Sequence, residues 1–349
     1  MNKKIIVAPL NWGLGHASRC VPIINSLIKN KYIPILASNG NALAFLRKEF
    51  PSLETIELPS YHIKYGENLK LNLLYIAPKI WKAVQKERVI IDTFINENKD
   101  VVGIISDNRF GVRSDKVPSV YITHQLNVLS GVSTFLTSKI HQNIIKKFDE
   151  CWIPDTKNSQ FSGKLSVTNT VKNIKYIGVL SRFKEMNLPK LNDILVILSG
   201  PEPNRTLLEE KLKKTFSNSD KNIVLIQGKV EKRQKKSEEE NITIYNFMLS
   251  DELQNTICSS EIIICRSGYS SIMDLAVLDK KAFFIPTKNQ SEQEYLATNL
   301  KQKKIAPFCF EKDFTVERLS EVKNYAGLKS AETNLNSGLF SLFERKREF

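Results

Sequence analysis

Two glycine-flanked turns carry the residues with the type and spacing to do chemistry. In the first, Gly13-Leu14-Gly15-His16-Ala17-Ser18-Arg19 follows an apolar run over residues 4–10. Glycines let backbone approach a ligand closely, and a helix opening there turns its free N–H groups and positive dipole end toward it. Gly15 would lie against the bound group. A histidine in such a first turn is held neutral and can take a proton, so His16 is the first candidate general base. Asp107, at the end of the apolar run 101–106, is the reserve base.

The second turn is Cys265-Arg266-Ser267-Gly268-Tyr269-Ser270-Ser271-Ile272-Met273-Asp274. Apolar runs flank it, so it reads as strand, turn and helix N-terminus, which is an anion site. The N–H groups around Ser267, Gly268, Ser270 and Ser271 face the anion. Asp274 lies about two helical turns in, too far to cap the helix, and is available to a ligand hydroxyl. Ser199-Gly200 follows another apolar run and offers further N–H groups. Arg182 and Arg266 can supply cations to a diphosphate. Gln293 and Glu294, after the run ending Ile285-Pro286, can hold sugar hydroxyls. Two further strand ends are polar: Asp107-Asn108-Arg109 and Thr123-His124-Gln125-Leu126-Asn127. A structural Asp–Arg pair explains the first about as well as a site does, and an ordinary polar loop the second.

Some chemistries are excluded. The first turn is not a dinucleotide fingerprint, because position 18 is Ser, and no P-loop Gly-Lys-Ser/Thr is present. No Asp-x-Asp pair is available to bridge a metal to a diphosphate. The cysteines (20, 151, 258, 265 and 309) are odd in number and form no Cys-x-x-Cys, which predicts reduced thiols in a cytoplasmic protein.

Behind these residues the chain must supply strands that end where the turns begin. Apolar runs at 4–10, 32–37 and 56–58 alternate with helical spacing at 17–28 and 41–49, predicting a β-α-β-α-β series. A long helix over 69–97 follows, then strands at 101–106, 119–123, 151–153 and 175–177. Residues 178–192 read as a linker. A second series has strands at 194–198, 222–227, 242–245, 262–265 and 282–285, with a helix at 206–216. The charged run 229–240 reads as a solvated loop, and a helical stretch spans about 331–343. The organisation is a domain over 1–180, a second over 181–330, and a C-terminal helix over 331–349 that packs back on the first. In open α/β sheets ligands bind beyond the carboxyl ends of the strands, where the polar residues above fall.

Lys plus Arg number 51 against 37 Asp plus Glu, a net charge of +14, which favours anionic partners. The basic residues are dispersed with no recognition motif, so nucleic acid is not an expected partner. No run reaches the ~20 apolar residues of a membrane-spanning helix. Residues 69–90 mix Leu73, Leu74, Tyr75, Ile76, Ile80 and Trp81 with Lys70, Lys79, Lys82 and Lys86, as an interfacial helix does. A core helix with a lysine face is the alternative.

With these residues in place, the C-terminal half resembles the family 28 glycosyltransferases, the MurG-like UDP-sugar transferases. That family carries Arg-Ser-Gly, five residues, then an acid on the ribose of UDP. Arg266-Ser267-Gly268 and Asp274 match, with Asp in place of the usual Glu. Gln293 keeps the first member of the family's Gln-Gln pair on the donor sugar, and Glu294 replaces the second. Phe247 resembles the Phe near uracil, and the Met248 N–H would read the base. Gly178 to Arg182 resembles the hinge, Gly13 to His16 the Gly-Gly-His turn, and His124 to Asn127 the His-Glu-Gln-Asn stretch. The motif from Gly13 to Arg19 is also similar to that of the sugar-nucleotide hydrolases of pseudaminic acid synthesis (PseG-type).

The resemblance implies a GT-B fold, α/β, with two Rossmann-like domains facing across a cleft. It implies inverting, metal-independent transfer of a sugar such as an N-acetylhexosamine. The donor would be a UDP-sugar and the acceptor a hydroxyl on a glycan or lipid-linked molecule of cell-envelope biosynthesis. No cofactor is expected. Asn108, Arg109, His124, Gln125 and Asn127 would face the acceptor. The location would be cytoplasmic, at the inner face of the plasma membrane. Hydrolysis of a nucleotide sugar is the alternative reaction, and a non-catalytic nucleotide-sugar-binding module the alternative from outside enzymology.

Overall fold

The computed structural model describes residues 3–61, 69–129, 131, 134–200, 202–329, 335 and 337–344, with 69–77 described by their backbone. The chain divides into two units. Met1–Leu180 with Glu332–Phe349 form the first, and Ser181–Ala331 the second.

In the first unit the N-terminal apolar run becomes β1 (Lys3–Pro9), whose residues Ile5 to Ala8 are wholly buried. It leads into α1 (Gly15–Lys29), β2 (Tyr32–Ser38), α2 (Gly40–Glu49) and β3 (Thr55–Glu57). Then come α3 (Leu69–Glu97), β4 (Val101–Asp107), β5 (Ser119–Ile122), α4 (Thr134–Ile145), β6 (Glu150–Ile153) and β7 (Ile174–Tyr176). The sheet order is β3-β2-β1-β4-β5-β6-β7, with every pairing parallel. Strands buried on both faces are apolar throughout, which is why the sequence shows them as runs and not as alternation. The order reverses direction between β1 and β4, and at such a switch point the connections leave a crevice beyond the strand ends. The turn after β1 and Asp107 at the end of β4 both lie there. Gly40 holds a φ of +53°, and a Cβ on it would come 2.4 Å from Asn11 Nδ2. That close approach lets Asn11 Oδ1 accept from the Ala42 N–H at 3.2 Å, fixing the loop after β1 against α2.

The C-terminal segment completes this unit. Within the stretch expected to be helical, residues Ser337–Glu344 wind as a 3-10 helix, while 331–334 and 336 lie outside the described residues. Phe340 packs 6.1 Å from both Tyr32 and Trp152, and Phe343 6.3 Å from Trp152. Gly103 in β4 makes room: a Cβ there would fall 2.1 Å from Phe343 Cδ1.

The second unit has β8 (Asn192–Ile197), α5 (Asn204–Phe216), β9 (Ile223–Ile226), β10 (Lys236–Glu239), β11 (Ile242–Tyr245), α6 (Ser250–Cys258), β12 (Ser260–Cys265), α7 (Tyr269–Val277), β13 (Ala282–Phe284) and α8 (Ser291–Gln302). Its order is β10-β11-β9-β8-β12-β13, parallel except for β10. The switch point lies between β8 and β12, which end at Ile197 and Cys265 in register. β10 corrects the reading of 229–240 as loop throughout: Lys236 to Glu239 pair antiparallel with β11 as a fully exposed edge. Four charged or hydroxyl side chains carry no strand signal, and the ladder alone makes the element.

Candidate active site

In the first unit α1 begins at Gly15, so His16 and Arg19, three residues apart, share one helix face. Both turn onto Asp107, which is wholly buried at the end of β4. His16 Nδ1 lies 2.8 Å from Asp107 Oδ1. Arg19 donates from Nε to Oδ2 at 2.5 Å and from Nη2 to Oδ1. Nδ1 also lies 2.9 Å from Arg19 Nη2, so it faces both a carboxylate that only accepts and a guanidinium that only donates; the tautomer that donates to the carboxylate leaves Nε2 bare. Arg19 Nη1 also donates to His124 Nδ1 at 3.0 Å, so His124 carries its proton on Nε2.

The electrostatics follow from burial and this one cation. Burial pushes His16 below the ordinary histidine value of about 6.5. Asp107 pulls it back up, while Arg19 and His124 push it down again. Burial alone would raise Asp107, but Arg19 and His16 beside it hold its carboxyl far below the usual range. The product is a neutral imidazole, oriented by a permanently ionised carboxylate, with an unprotonated Nε2. In that tautomer the ring has what a general base needs.

In the second unit Ser199 and Gly200 are exposed just past β8, and Gly200 holds a φ of +100° that side chains resist. Past β12, Gly268 precedes α7, and a Cβ there would meet nothing within 4 Å, so the space over the helix N-terminus is open. Ser270 and Ser271 lie in that first turn, half-buried. Asp274, further along α7, accepts from Ser181 Oγ at 2.6 Å. Burial raises its carboxyl to about 6, against the pull of Arg182 and the Ser181 hydroxyl. Arg182 stacks over Phe183 at 4.9 Å.

Residues 199–336 match the model of the glycosyltransferase family 28 C-terminal domain. The match lies almost wholly in the second unit, and the protein is a glycosyltransferase. A relative from Sulfurihydrogenibium sp. is named UDP-N-acetylglucosamine–N-acetylmuramyl-(pentapeptide) pyrophosphoryl-undecaprenol N-acetylglucosamine transferase. It is 23% identical over 87% of this chain and 82% of its own. One of the same name from Pasteurella multocida is 22% identical over 77% of each chain. Among solved structures, the glycosyltransferase of kitacinnamycin superposes with a TM-score of 0.64 at 13% identity, over 98% of this chain and 95% of its own. Acinetobacter baumannii MurG does so with a TM-score of 0.52 at 13% identity, over 92% and 89%. The fold of the glycosyltransferase is GT-B, with two Rossmann-like units.

Several residues read from the sequence do other work in the glycosyltransferase. Arg266 is not exposed to a diphosphate. It is buried and donates to Ile285 O, Pro286 O, Asn204 O and Glu311, bracing the loops after β12 and β13 and the start of α5. Ser267 donates to Gln293 O at 2.8 Å, and Gln293 Oε1 accepts from the Thr287 N–H at 2.8 Å. Glu294 Oε1 accepts from Asn289 N–H at 3.1 Å, so this pair organises the loop before α8. Phe247 and Met248 are buried, and the Phe247 ring is an interior one without an exposed stacking face. Asp107 is an orienting carboxylate and not the reserve base, because it is wholly buried with both oxygens taken by His16 and Arg19.

On the acceptor side, Arg109 is wholly buried. It donates to Pro9 O at 3.0 Å, to Glu87 at 2.5 Å and to Asn39, so it is a core brace and not an acceptor contact. Asn127 donates to Lys164 O and Val167 O, both at 2.8 Å, which makes it a loop clamp. Gln125 closes a turn, its N–H donating to Thr123 Oγ1 at 3.0 Å. His124 and Asn108 remain beside His16, through Arg19 and directly. Arg19 was missed as a site residue, though its place three positions after His16 on a helix was the signal. Tyr121, His141 and Ser181 were also missed, and no local pattern marks them.

Proposed function

We propose that the protein transfers a sugar, of the N-acetylhexosamine class, from a UDP-sugar to an acceptor hydroxyl in cell-envelope biosynthesis, with inversion and without a metal. The observation that carries the proposal is the His16–Asp107 pair at the switch point of the first sheet, in a chain whose second unit matches the family 28 C-terminal domain. The acceptor hydroxyl gives its proton to His16 Nε2 as its oxygen attacks the anomeric carbon. The bond from that carbon to the diphosphate breaks, and UDP leaves with the electron pair. The imidazolium formed is stabilised by Asp107. The N-terminus of α7 and the turn at Ser199-Gly200 receive the phosphates through backbone N–H groups, which stabilises the leaving charge without a cation. Asp274 takes a ribose hydroxyl. The names of the relatives support N-acetylglucosamine as donor sugar and a pyrophosphoryl-undecaprenol-linked acceptor.

The acceptor's lipid supports a peripheral membrane contact. No helix among the described residues is long and apolar enough to cross a membrane. The first unit nonetheless exposes Phe135, Leu136 and Ile140 on α4 (80%, 61% and 53%) near the exposed Lys139, Lys146 and Lys147. On α3, Trp81 and Val89 are exposed among Lys79, Lys82 and Lys86, while the side chains of Lys70, Leu73, Leu74, Tyr75 and Ile76 lie outside the described residues. Apolar groups ringed by lysines bind anionic lipid surfaces. Sedimentation with vesicles containing phosphatidylglycerol, but not with phosphatidylcholine alone, is expected at low salt, and Phe135→Ser with Leu136→Ser should weaken it.

The test of the reaction is UDP release from UDP-N-acetylglucosamine with and without a lipid-diphosphate acceptor, in the presence of EDTA. Release only with acceptor, unaffected by EDTA, is expected. His16→Ala should slow it by about 100-fold or more while leaving UDP affinity unchanged. Equal release without acceptor would instead establish hydrolysis, the second reading, which the motif from Gly13 to Arg19 favours.

A further inference from the structure

A second run of hydrogen bonds reaches the His16–Asp107 pair, and the transfer as proposed does not use it. His141 lies on the inner face of α4 and Tyr121 on β5, and both are buried. The Tyr121 hydroxyl is 3.0 Å from His141 Nε2 and 3.0 Å from Asn108 Oδ1. A phenol has one hydrogen and an amide oxygen only accepts, so Tyr121 donates to Asn108 and His141 Nε2–H donates to Tyr121. Burial brings His141 down to about 4, so it is neutral at pH 7. With its oxygen held, the Asn108 amide turns Nδ2 toward Asp107 Oδ1 and His16 Nδ1, 3.5 Å from each. Asn108 itself sits at a φ of +58°.

We propose that Asn108 is a positioning residue for His16, its amide locked by Tyr121 and His141 so that an N–H dipole faces the Nδ1 edge of the imidazole and the Asp107 carboxylate. The inference rests on the reading of His16 as base. A donor there opposes positive charge on the imidazole and takes up part of the Asp107 charge that would favour it, so Nε2 stays unprotonated. The other groups facing His16 are Asp107 from β4, Arg19 from its own helix and His124 from the loop after β5, and the changes below leave all three in place.

The simpler account is that Asn108 is there only because asparagine tolerates a left-handed corner. Asn108→Gly separates the two, since glycine keeps that backbone without strain and removes the amide. The readout is the His16 ring resonance followed by NMR across pH, with the acid limb of the rate profile beside it. In Asn108→Gly the His16 midpoint should rise by about half a unit, and the acid limb should move with it. Tyr121→Phe should move both less, in the same direction. Asn108→Asp, which keeps the side-chain shape and adds charge, should move them furthest. An unshifted midpoint in Asn108→Gly overturns the proposal, and a shift there with none in Tyr121→Phe overturns the lock. The ring titration needs no turnover. Failure here is therefore distinct from failure of the base assignment, which an active His16→Ala would reveal.

Discussion

His16 and Asp274 are both half-buried ionisable groups, yet their surroundings drive them to opposite ends of their use. His16 is kept neutral, and its bare nitrogen is available at every pH above its lowered titration point. The transfer rate should therefore rise through a midpoint below about 6.5 and then stay level into the neutral range, which a pH–rate profile of the purified protein would show. Asp274 is raised to about 6, so the folded protein holds that proton more tightly than the unfolded chain does. Its sign is the reverse of an ordinary paired carboxylate: it favours the fold at acid pH, and that contribution is lost as pH rises through about 6. A ribose hydroxyl donates to the ionised form, so nucleoside binding should run the other way. Uridine has no titrating phosphate, and it should bind about tenfold more weakly near pH 5 than near pH 7.5. Calorimetry on wild type should show that difference, and Asp274→Asn should lose it.

Local elements decide which of these side chains meet and which are diverted into the framework. Arg109 and Arg266 look alike in sequence, each an arginine just past an apolar strand, and both read as site residues. Each instead enters the interior and closes several backbone carbonyls or carboxylates at once, an outcome set by neighbours far along the chain. Arg109 pairs with Glu87 of α3, and both side chains are wholly buried. Arg109→Leu leaves that carboxylate uncompensated and should cost about 3–5 kcal/mol in a denaturant titration, far more than removal of an exposed ion pair. The parallel strands were legible because burial on both faces demands unbroken apolar runs. α4 was not, because its pattern is inverted: Ser138, His141, Gln142 and Ile145 face inward while Phe135, Leu136 and Ile140 face out. Its inner face is largely polar because it closes hydrogen bonds, Gln142 to Leu126 O and His141 to Tyr121, and Ile145 alone of the four joins an apolar cluster. β10 was illegible for the related reason that an exposed edge strand of Lys-Ser-Glu-Glu needs only a partner ladder. Turns at strand ends announced where a site lies. Which atoms act there depended on tertiary pairings such as Arg19 with Asp107 and Ser181 with Asp274.

At the scale of the molecule, the two units differ in how the chain builds them. Residues Ser181–Ala331 are one continuous stretch, whereas the first unit takes its last piece from beyond residue 331. Removing residues from 335 onward should uncover Trp152 and Tyr32 and lower the melting transition of the first unit. Nucleotide affinity, which belongs to the second, should be unchanged. Gly103→Val, which places side-chain atoms where Phe343 lies, should reproduce the effect in the full-length chain, read by limited proteolysis at the C-terminus.

The seat of Phe340 and Phe343 also orders events during synthesis. A chain leaving the ribosome presents the β1–β7 region first, and domains fold as they emerge. The aromatic residues that close one face of that sheet are added only after the whole second unit has been made. The half that carries His16 is thus begun before the second unit and completed after it. Until Phe340 and Phe343 appear, Tyr32 and Trp152 lack their aromatic cover, and the nucleotide half can fold before the half that holds the base is complete.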